Sequence, residues 1–274
     1  MDSMRLSFST LGCPAWDWKQ IVTFAKANAF DAIEVRGVGP AMRPEELTIF
    51  SEAAAPMTRA QLEAAGLTVC CLGTSVSFQD PAKEAEMFKE AEESVRLCRR
   101  MGIPFMRVFA DRHGDEGDVP CLDRNISGLR RVVAMADGVD VLLEVHGEFN
   151  TVQMLGPVLK ELDEVNFGIL WDIQHSDRAY GAEFERLYDL IAPRVRHVHI
   201  KDYHRGQGAA GLCKVGEGDI PIERIIRCLR KDGYGGCLSF EWEKRWHPEL
   251  PEPELAFAQY AKYMKALLQA VEAK

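Results

Sequence analysis

Short runs of apolar, often β-branched residues recur along the chain, each followed by a longer stretch with helical spacing. The runs are Arg5–Ser9, Ala32–Val35, Thr68–Leu72, Phe105–Phe109, Val141–Glu144, Phe167–Trp171, Val195–Ile200 and Cys237–Glu241, eight in all. Between them, Trp18–Ala29 gathers Ile21, Val22 and Ala25 on one face, and Met57–Ala65 stops at Gly66. Pro81 opens a helical segment that runs to Met101 and halts at Gly102. Proline suits a first turn because its missing N–H is not needed there, and glycine tolerates the left-handed conformation that ends a helix. Ile126–Ala136, Thr151–Leu162, Glu183–Leu190, Pro221–Leu229 and Glu254–Val271 complete the helical set. Strands alternating with helices predict parallel pairing through right-handed crossovers. Eight units in 274 residues predict an α/β fold, a (β/α)8 TIM barrel forming one domain over residues 1–274. An open doubly wound sheet would more often have fewer strands, and no glycine-rich phosphate fingerprint follows Ser9. Gly206–Asp219 is glycine-rich without periodicity and reads as a long loop after the seventh strand.

Composition changes the picture little but excludes several classes. Hydrophobic residues make up 47% and charged residues 27%, as in ordinary globular proteins. The formal net charge is -9, with no basic stripe, which argues against a nucleic-acid partner. No apolar stretch approaches the ~20 residues that span a bilayer, and the amino terminus has no signal-peptide apolar region. The eight cysteines lack a Cys-x-x-Cys pair, and several lie in apolar runs. They predict reduced thiols in a cytoplasmic protein. Barrel helices offer surfaces for a homodimer, although no heptad or apolar stripe singles one out.

Candidate chemistry lies where the late strands end, because barrel active sites form at the carboxyl ends of strands. Strand side chains repeat on one face with period two. Glu144 and His146 therefore share a face at the fifth strand. Asp172 closes the sixth, with His175 three positions on; a cap is the competing role for Asp172. In the seventh, His197, His199 and Lys201 lie on one side and Val198 and Ile200 on the other. His197 reads equally as an interior histidine or as a support for the site. In the eighth, Glu241 is preferred to Glu243, which sits one step into the loop. Glu144, Asp172, His199 and Glu241 would converge from four consecutive strands. Three carboxylates so placed repel one another, and a divalent cation resolves the conflict. Three oxygen donors and one imidazole suit one Mn²⁺ or Mg²⁺ ion and tolerate Zn²⁺, Co²⁺ or Fe²⁺.

The same residues suit acid–base work on a small substrate held at the metal. Glu144 and Glu241, on strands separated by two others, are placed to take and return a proton beside a carbonyl. His146 and His175 would orient hydroxyls or stabilise oxyanion charge. Lys201 faces inward, toward a negative substrate group or a site carboxylate. Arg107 and Arg112 bracket the fourth strand, suited to a substrate carboxylate or an inter-loop salt bridge. Arg205 and Lys214 could cradle an anion or lie solvated in the seventh loop. Trp16, Phe78, Trp242 and Trp246 are pocket walls or core residues.

The fragments LLEVHG, ILWDIQH, HVHIKD and GYGGCLSFEWE, in this order, resemble the sugar phosphate isomerase/epimerase superfamily with its xylose-isomerase-like TIM barrel. The resemblance covers nearly the whole chain. It implies that Glu144, Asp172, His199 and Glu241 bind one divalent metal and that His175 of Asp-x-x-His contacts substrate. Glu34-Val35-Arg36 is similar to the family's second strand end, which places Glu34 among the substrate-binding residues. The implied function is a metal-dependent isomerase or epimerase of a small sugar, sugar phosphate or related polyol ketone. A dehydratase or lyase of the dehydroshikimate or inosose type is the alternative, and a non-catalytic sugar-binding barrel is a reading of another class. A DNA-repair endonuclease branch shares the barrel but carries a fuller set of histidines and carboxylates than this chain shows.

Overall fold

The structure is a computed structural model that describes residues 3–272. Its strands are β1 (Arg5–Ser9), β2 (Ala32–Val35), β3 (Thr68–Ser77), β4 (Phe105–Phe109), β5 (Asp140–Glu144), β6 (Phe167–Asp172), β7 (Val195–Ile200), β8 (Asp202–Tyr203), β9 (Leu212–Cys213) and β10 (Cys237–Phe240). β1 to β7 and β10 close an all-parallel eight-stranded barrel, with β10 between β7 and β1. β8 and β9 form a small antiparallel pair outside it. Around the barrel lie α1 (Trp18–Ala27), α2 (Ala55–Ala65), α3 (Glu84–Met101), α4 (Asp118–Met135), α5 (Val152–Glu161), α6 (Ile173–Tyr180), α7 (Glu185–Ile191), α8 (Ile222–Lys231) and α9 (Pro253–Glu272). No described helix is long and apolar enough to cross a membrane.

Alternation along the strands divides the core in two. One face packs on the helices in a large cluster that includes Phe8, Ile33, Val108, Leu143, Trp171, Val198, Ile200 and Phe240. The other face fills the barrel interior with Ala32, Cys70, Cys71, Leu142, Leu170 and Cys237. All eight cysteines are free thiols. Small interior residues leave the upper layer to polar side chains, and the register sets those side by side. Asp172 lies opposite His199, and His199 opposite Ser239.

Three elements differ from the pattern reading. β3 continues past Leu72 to Ser77, through Gly-Thr-Ser residues that carry no apolar signal; it is held by pairing with β4. α4 begins at Asp118, eight residues before Ile126: Pro120 stands in its first turn, where N–H groups need no partner, and Cys121 is buried, but these turns carry no repeating apolar stripe. α6 follows β6 immediately, in a stretch with no helical apolar face. Asp172 starts it as an N-cap, its side chain accepting from the backbone N–H groups of Gln174 and His175. The long loop after β7 is tied down rather than free. The Asp202 carboxylate accepts from the backbone N–H groups of Gly216, Gly218 and Ile220.

Candidate functional site

Four parallel strands deliver the acidic and imidazole groups to one end of the barrel. Glu144 is the last residue of β5, Asp172 the last of β6, and His199 the next to last of β7; Glu241 directly follows β10. All four are buried. Each offers one donor atom, and these four atoms lie within 4.8 Å of one another. Trans ligands at ~2.1 Å from a divalent ion stand about 4.2 Å apart, so the cluster has the dimensions of a coordination shell.

The atoms are also oriented for one. His199 Nδ1 lies 3.1 Å from Glu144 Oε1, 3.4 Å from Glu241 Oε2 and 3.9 Å from Asp172 Oδ2. Its other nitrogen, Nε2, lies 3.0 Å from both oxygens of Glu34. An N–H on Nε2 donating to Glu34 leaves the Nδ1 lone pair facing the carboxylates, the arrangement that prepares a histidine for a metal. Asp172 splits its carboxylate: Oδ1 caps α6, while Oδ2 makes no hydrogen bond despite its burial, although Lys201 Nζ stands 2.9 Å away as an ion-pair partner. The helix-cap reading of Asp172 is thus correct for one oxygen and leaves the other for the cluster. Glu144 Oε2 likewise makes no hydrogen bond, although Arg107 Nε stands 3.2 Å away. Buried carboxylate atoms without hydrogen bonds, converging with an imidazole lone pair, fit a divalent cation.

The electrostatics show how much negative charge is concentrated here. Burial pushes the Glu241 carboxyl up, but His199 and Lys201 outweigh it and hold the group well below the usual carboxylate range. Burial disfavours a charged His199, yet Glu241, Glu34 and Glu144 together raise its pKa well above the ordinary value. Lys201 is engaged by three carboxylates, with Nζ 2.9 Å from Asp172 Oδ2, 2.5 Å from Glu241 Oε2 and 2.6 Å from Glu243 Oε1. Of its two expected roles, the structure shows the salt bridge. Arg107 is similarly drawn to Glu144 and stacks over the Phe109 ring, 3.9 Å from its centroid.

His175 and His146 stand together at the lip, ring centroids 4.3 Å apart. Burial, reinforced by Lys201 and His146 against the pull of Asp172, lowers the His175 pKa to about 4. Asp111, which no pattern in its aperiodic loop signals, lies 3.8 Å from His146. It fills the space beside Gly147: a Cβ there would sit 2.2 Å from Asp111 Oδ1, and the left-handed φ of +50° also favours glycine.

Other residues fall elsewhere than the sequence suggests. Glu34, expected among the substrate contacts, has no exposed surface; His197 and His199 occupy its oxygens, with His197 Nε2 at 2.7 Å. These three form a second cluster able to hold a metal, and it shares His199 with the first. It is closed, and ring N–H groups satisfy its carboxylate without an ion. Trp16, expected as a pocket wall, packs against Phe24 and Phe257 in the core. Trp242 and Phe78 are also buried in that core, whereas Trp246 is 57% exposed. Arg205 is bound to Asp177, Lys214 to Glu217 and Arg112 to Asp118, so the seventh-loop cations are committed to protein carboxylates.

A family profile described as the xylose isomerase-like TIM barrel matches residues 22–267. The chain belongs to this family. Among curated proteins it is similar to an uncharacterized protein of Methanocaldococcus jannaschii, 34% identical over 128 residues, 44% of this chain and 43% of that one. It is also similar to probable endonuclease 4 of Thermotoga maritima, 25% identical over 148 residues, 47% of this chain and 49% of that one. The chain therefore spans less than half the length of the curated relatives it matches. Solved structures share the fold over nearly their whole length. The IOLI protein with a binding zinc atom has a TM-score of 0.82 at 18% identity, covering 98% of this chain and 99% of that one. A D-tagatose 3-epimerase-like protein has 0.76 at 20% identity, covering 98% and 99%. The probable 3-DHS dehydratase AsbF of Bacillus anthracis has 0.76 at 18%, covering 96% and 99%.

Proposed function

We propose that this member of the family is a divalent-metal-dependent isomerase or epimerase of a small sugar, sugar phosphate or related polyol ketone. The observation that carries the reading is the convergence of Glu144, Asp172, His199 and Glu241, one donor atom each within 4.8 Å, at the catalytic end of a parallel barrel. Solved relatives with a zinc atom and with epimerase-like naming support it. These four residues would hold the ion, with Mn²⁺ or Mg²⁺ favoured by the oxygen-rich set and Zn²⁺, Co²⁺ or Fe²⁺ also compatible. When bound, the ion would polarise a substrate carbonyl and stabilise the negative charge that develops on it.

The protein's own groups would then move the proton. Glu144 and Glu241 stand on different sides of the mouth, with β6 and β7 between their strands. For epimerisation, one carboxylate takes the proton from the carbon beside the carbonyl while the other, entering the cycle protonated, gives its own proton to the opposite face and inverts that carbon. For isomerisation, the carboxylate that took the proton delivers it to the former carbonyl carbon, and the proton of the neighbouring hydroxyl passes to the carbonyl oxygen. Arg107 and Lys201 hold the two carboxylates in place through the ion pairs described above. His146 and His175 orient the substrate hydroxyls. The dehydratase among the solved relatives supports a second reading, in which the same proton removal is followed by loss of a β-hydroxyl.

The test is incubation of the metal-loaded protein with a panel of ketoses and ketose phosphates in deuterated water, followed by proton NMR. Loss of one signal beside the carbonyl, with a new epimer or isomer, is expected, and Glu241→Gln should abolish it. A conjugated product absorbing in the ultraviolet would favour dehydration instead. No exchange and no elimination across the panel would overturn both readings.

A further inference from the structure

Across the mouth from the carboxylates, the barrel rim is basic. Arg36 follows β2, Gly73 lies on β3 and Arg107 lies on β4, with Gly73 directly paired to Arg107 in the sheet. A Cβ on Gly73 would sit 2.7 Å from Arg36 Cδ and 2.8 Å from Arg107 Nη2. The missing side chain is therefore what lets the two arginines lie side by side over β3. Both are withdrawn from water, Arg36 at 8% and Arg107 at 1% exposure. Arg36 has only neutral partners: Nη2 donates to Ser75 Oγ at 2.9 Å, and Nη1 to the Met42 carbonyl at 3.4 Å. Arg107 leaves Nε and Nη1 without hydrogen bonds. Arg245, from the loop after β10, donates Nη2 to the Gly39 carbonyl and leaves its buried Nε without a partner. Among the described residues, only Arg107 of the three has a carboxylate at ion-pair distance.

Guanidinium groups gathered out of water are costly unless an anion joins them. Burial and the neighbouring charge of Arg107 and Arg245 lower the Arg36 pKa to about 10, against the opposing pull of Glu90 and Glu241. Elsewhere at this end of the barrel the cations are committed: Lys201 to three carboxylates and Arg205 to Asp177. The planar fork of arginine also matches a carboxylate or phosphate in a way lysine does not.

We propose that the substrate carries an anionic group, a carboxylate or a phosphate, and that Arg36, flanked by Arg107 and Arg245, binds it on the β2–β4 side of the mouth. The carbonyl end then lies over Glu144 and Glu241. This rests on the function proposed above and narrows its substrates to polyhydroxy keto acids or sugar phosphates, leaving out neutral sugars.

The experiment titrates the Mn²⁺-loaded protein by calorimetry with glycerol 3-phosphate, glycerate and, as the neutral control, glycerol. At least one anion should bind at least tenfold more tightly than glycerol. Which anion does so identifies the group as phosphate or carboxylate. Arg36→Gln should remove the preference while leaving the Kd for Mn²⁺ unchanged, and Arg245→Gln should weaken it. Arg36→Lys, which keeps the charge but loses the fork, should reduce it severalfold and covers the case in which the glutamine variant fails to fold. Equal binding of anions and glycerol overturns the proposal. So does a preference that survives Arg36→Gln, since it would arise from chelation of the ion. If the protein binds no Mn²⁺, the proposed function falls, while an Arg36-dependent anion preference in the metal-free protein still upholds the subsite.

Discussion

Glu34 is the residue whose position changes its meaning most. On the sequence it ends the second strand and is expected to meet substrate. In the structure it lies beneath His199, fully enclosed, with imidazole nitrogens on both oxygens. A carboxylate so placed selects the tautomer of a ligating histidine and fixes its ring. Outer partners of this kind typically contribute 10–100-fold to metal affinity. Glu34→Gln is therefore expected to weaken Mn²⁺ binding by roughly 10–100-fold while leaving the circular dichroism spectrum intact. Calorimetric titration checks this, and unchanged affinity would remove Glu34 from any part in positioning His199. Glu144, Asp172, His199 and Glu241 are legible because a polar residue at the end of an apolar strand breaks its pattern. Arg36 breaks the pattern at the end of β2 in the same way, but only its neighbours in the fold show what it meets.

At the scale of elements, α4 shows why helix propensity alone does not settle stability. Gly128 lies in its middle, where alanine would ordinarily gain ~1 kcal/mol. A Cβ there would sit 2.2 Å from Phe78 Cγ, well inside contact distance. The Phe78 ring has little room to yield, being buried and packed on Phe88 at 4.9 Å between centroids. Overpacking of this kind costs about 1–3 kcal/mol and outweighs the propensity gain. Gly128→Ala should therefore lower the unfolding free energy, by about 1–2 kcal/mol in a denaturant titration. A more stable variant would mean that the Phe78 ring moves freely. The elements misread from sequence fail for a common reason. β3 beyond Leu72 is held by pairing with β4, α6 by the Asp172 cap, and the first turns of α4 by the single buried Cys121, none of which forms a periodic apolar face in the sequence.

For the molecule as a whole, closing the barrel places five buried or half-buried carboxylates around four basic side chains at one end: Glu34, Glu144, Asp172, Glu241 and Glu243 with His197, His199, Lys201 and Arg107. A ligand that binds only the folded state stabilises it by mass action, about 2.7 kcal/mol at a hundredfold excess over Kd. For a chain of this size that corresponds to a rise in Tm of about 5 °C. Thermal unfolding with and without Mn²⁺ measures it. The rise should be reversed by EDTA and lost in Asp172→Asn. A Tm indifferent to Mn²⁺, Mg²⁺, Zn²⁺, Co²⁺ and Fe²⁺ would count against a metal centre.

The amino-acid order alone determined the barrel and the four late-strand side chains, because alternation of apolar strands with helices and a polar break at a strand's end are local signals. Only the tertiary structure decided their partners. Glu34 and His197 are 163 positions apart, and no local pattern connects them. The same holds for Arg36 and Arg107 meeting over Gly73, for Lys201 held among three carboxylates, and for Trp16 turned into the core. Strand register and barrel closure set those distances, and both are properties of the folded chain rather than of any segment of it.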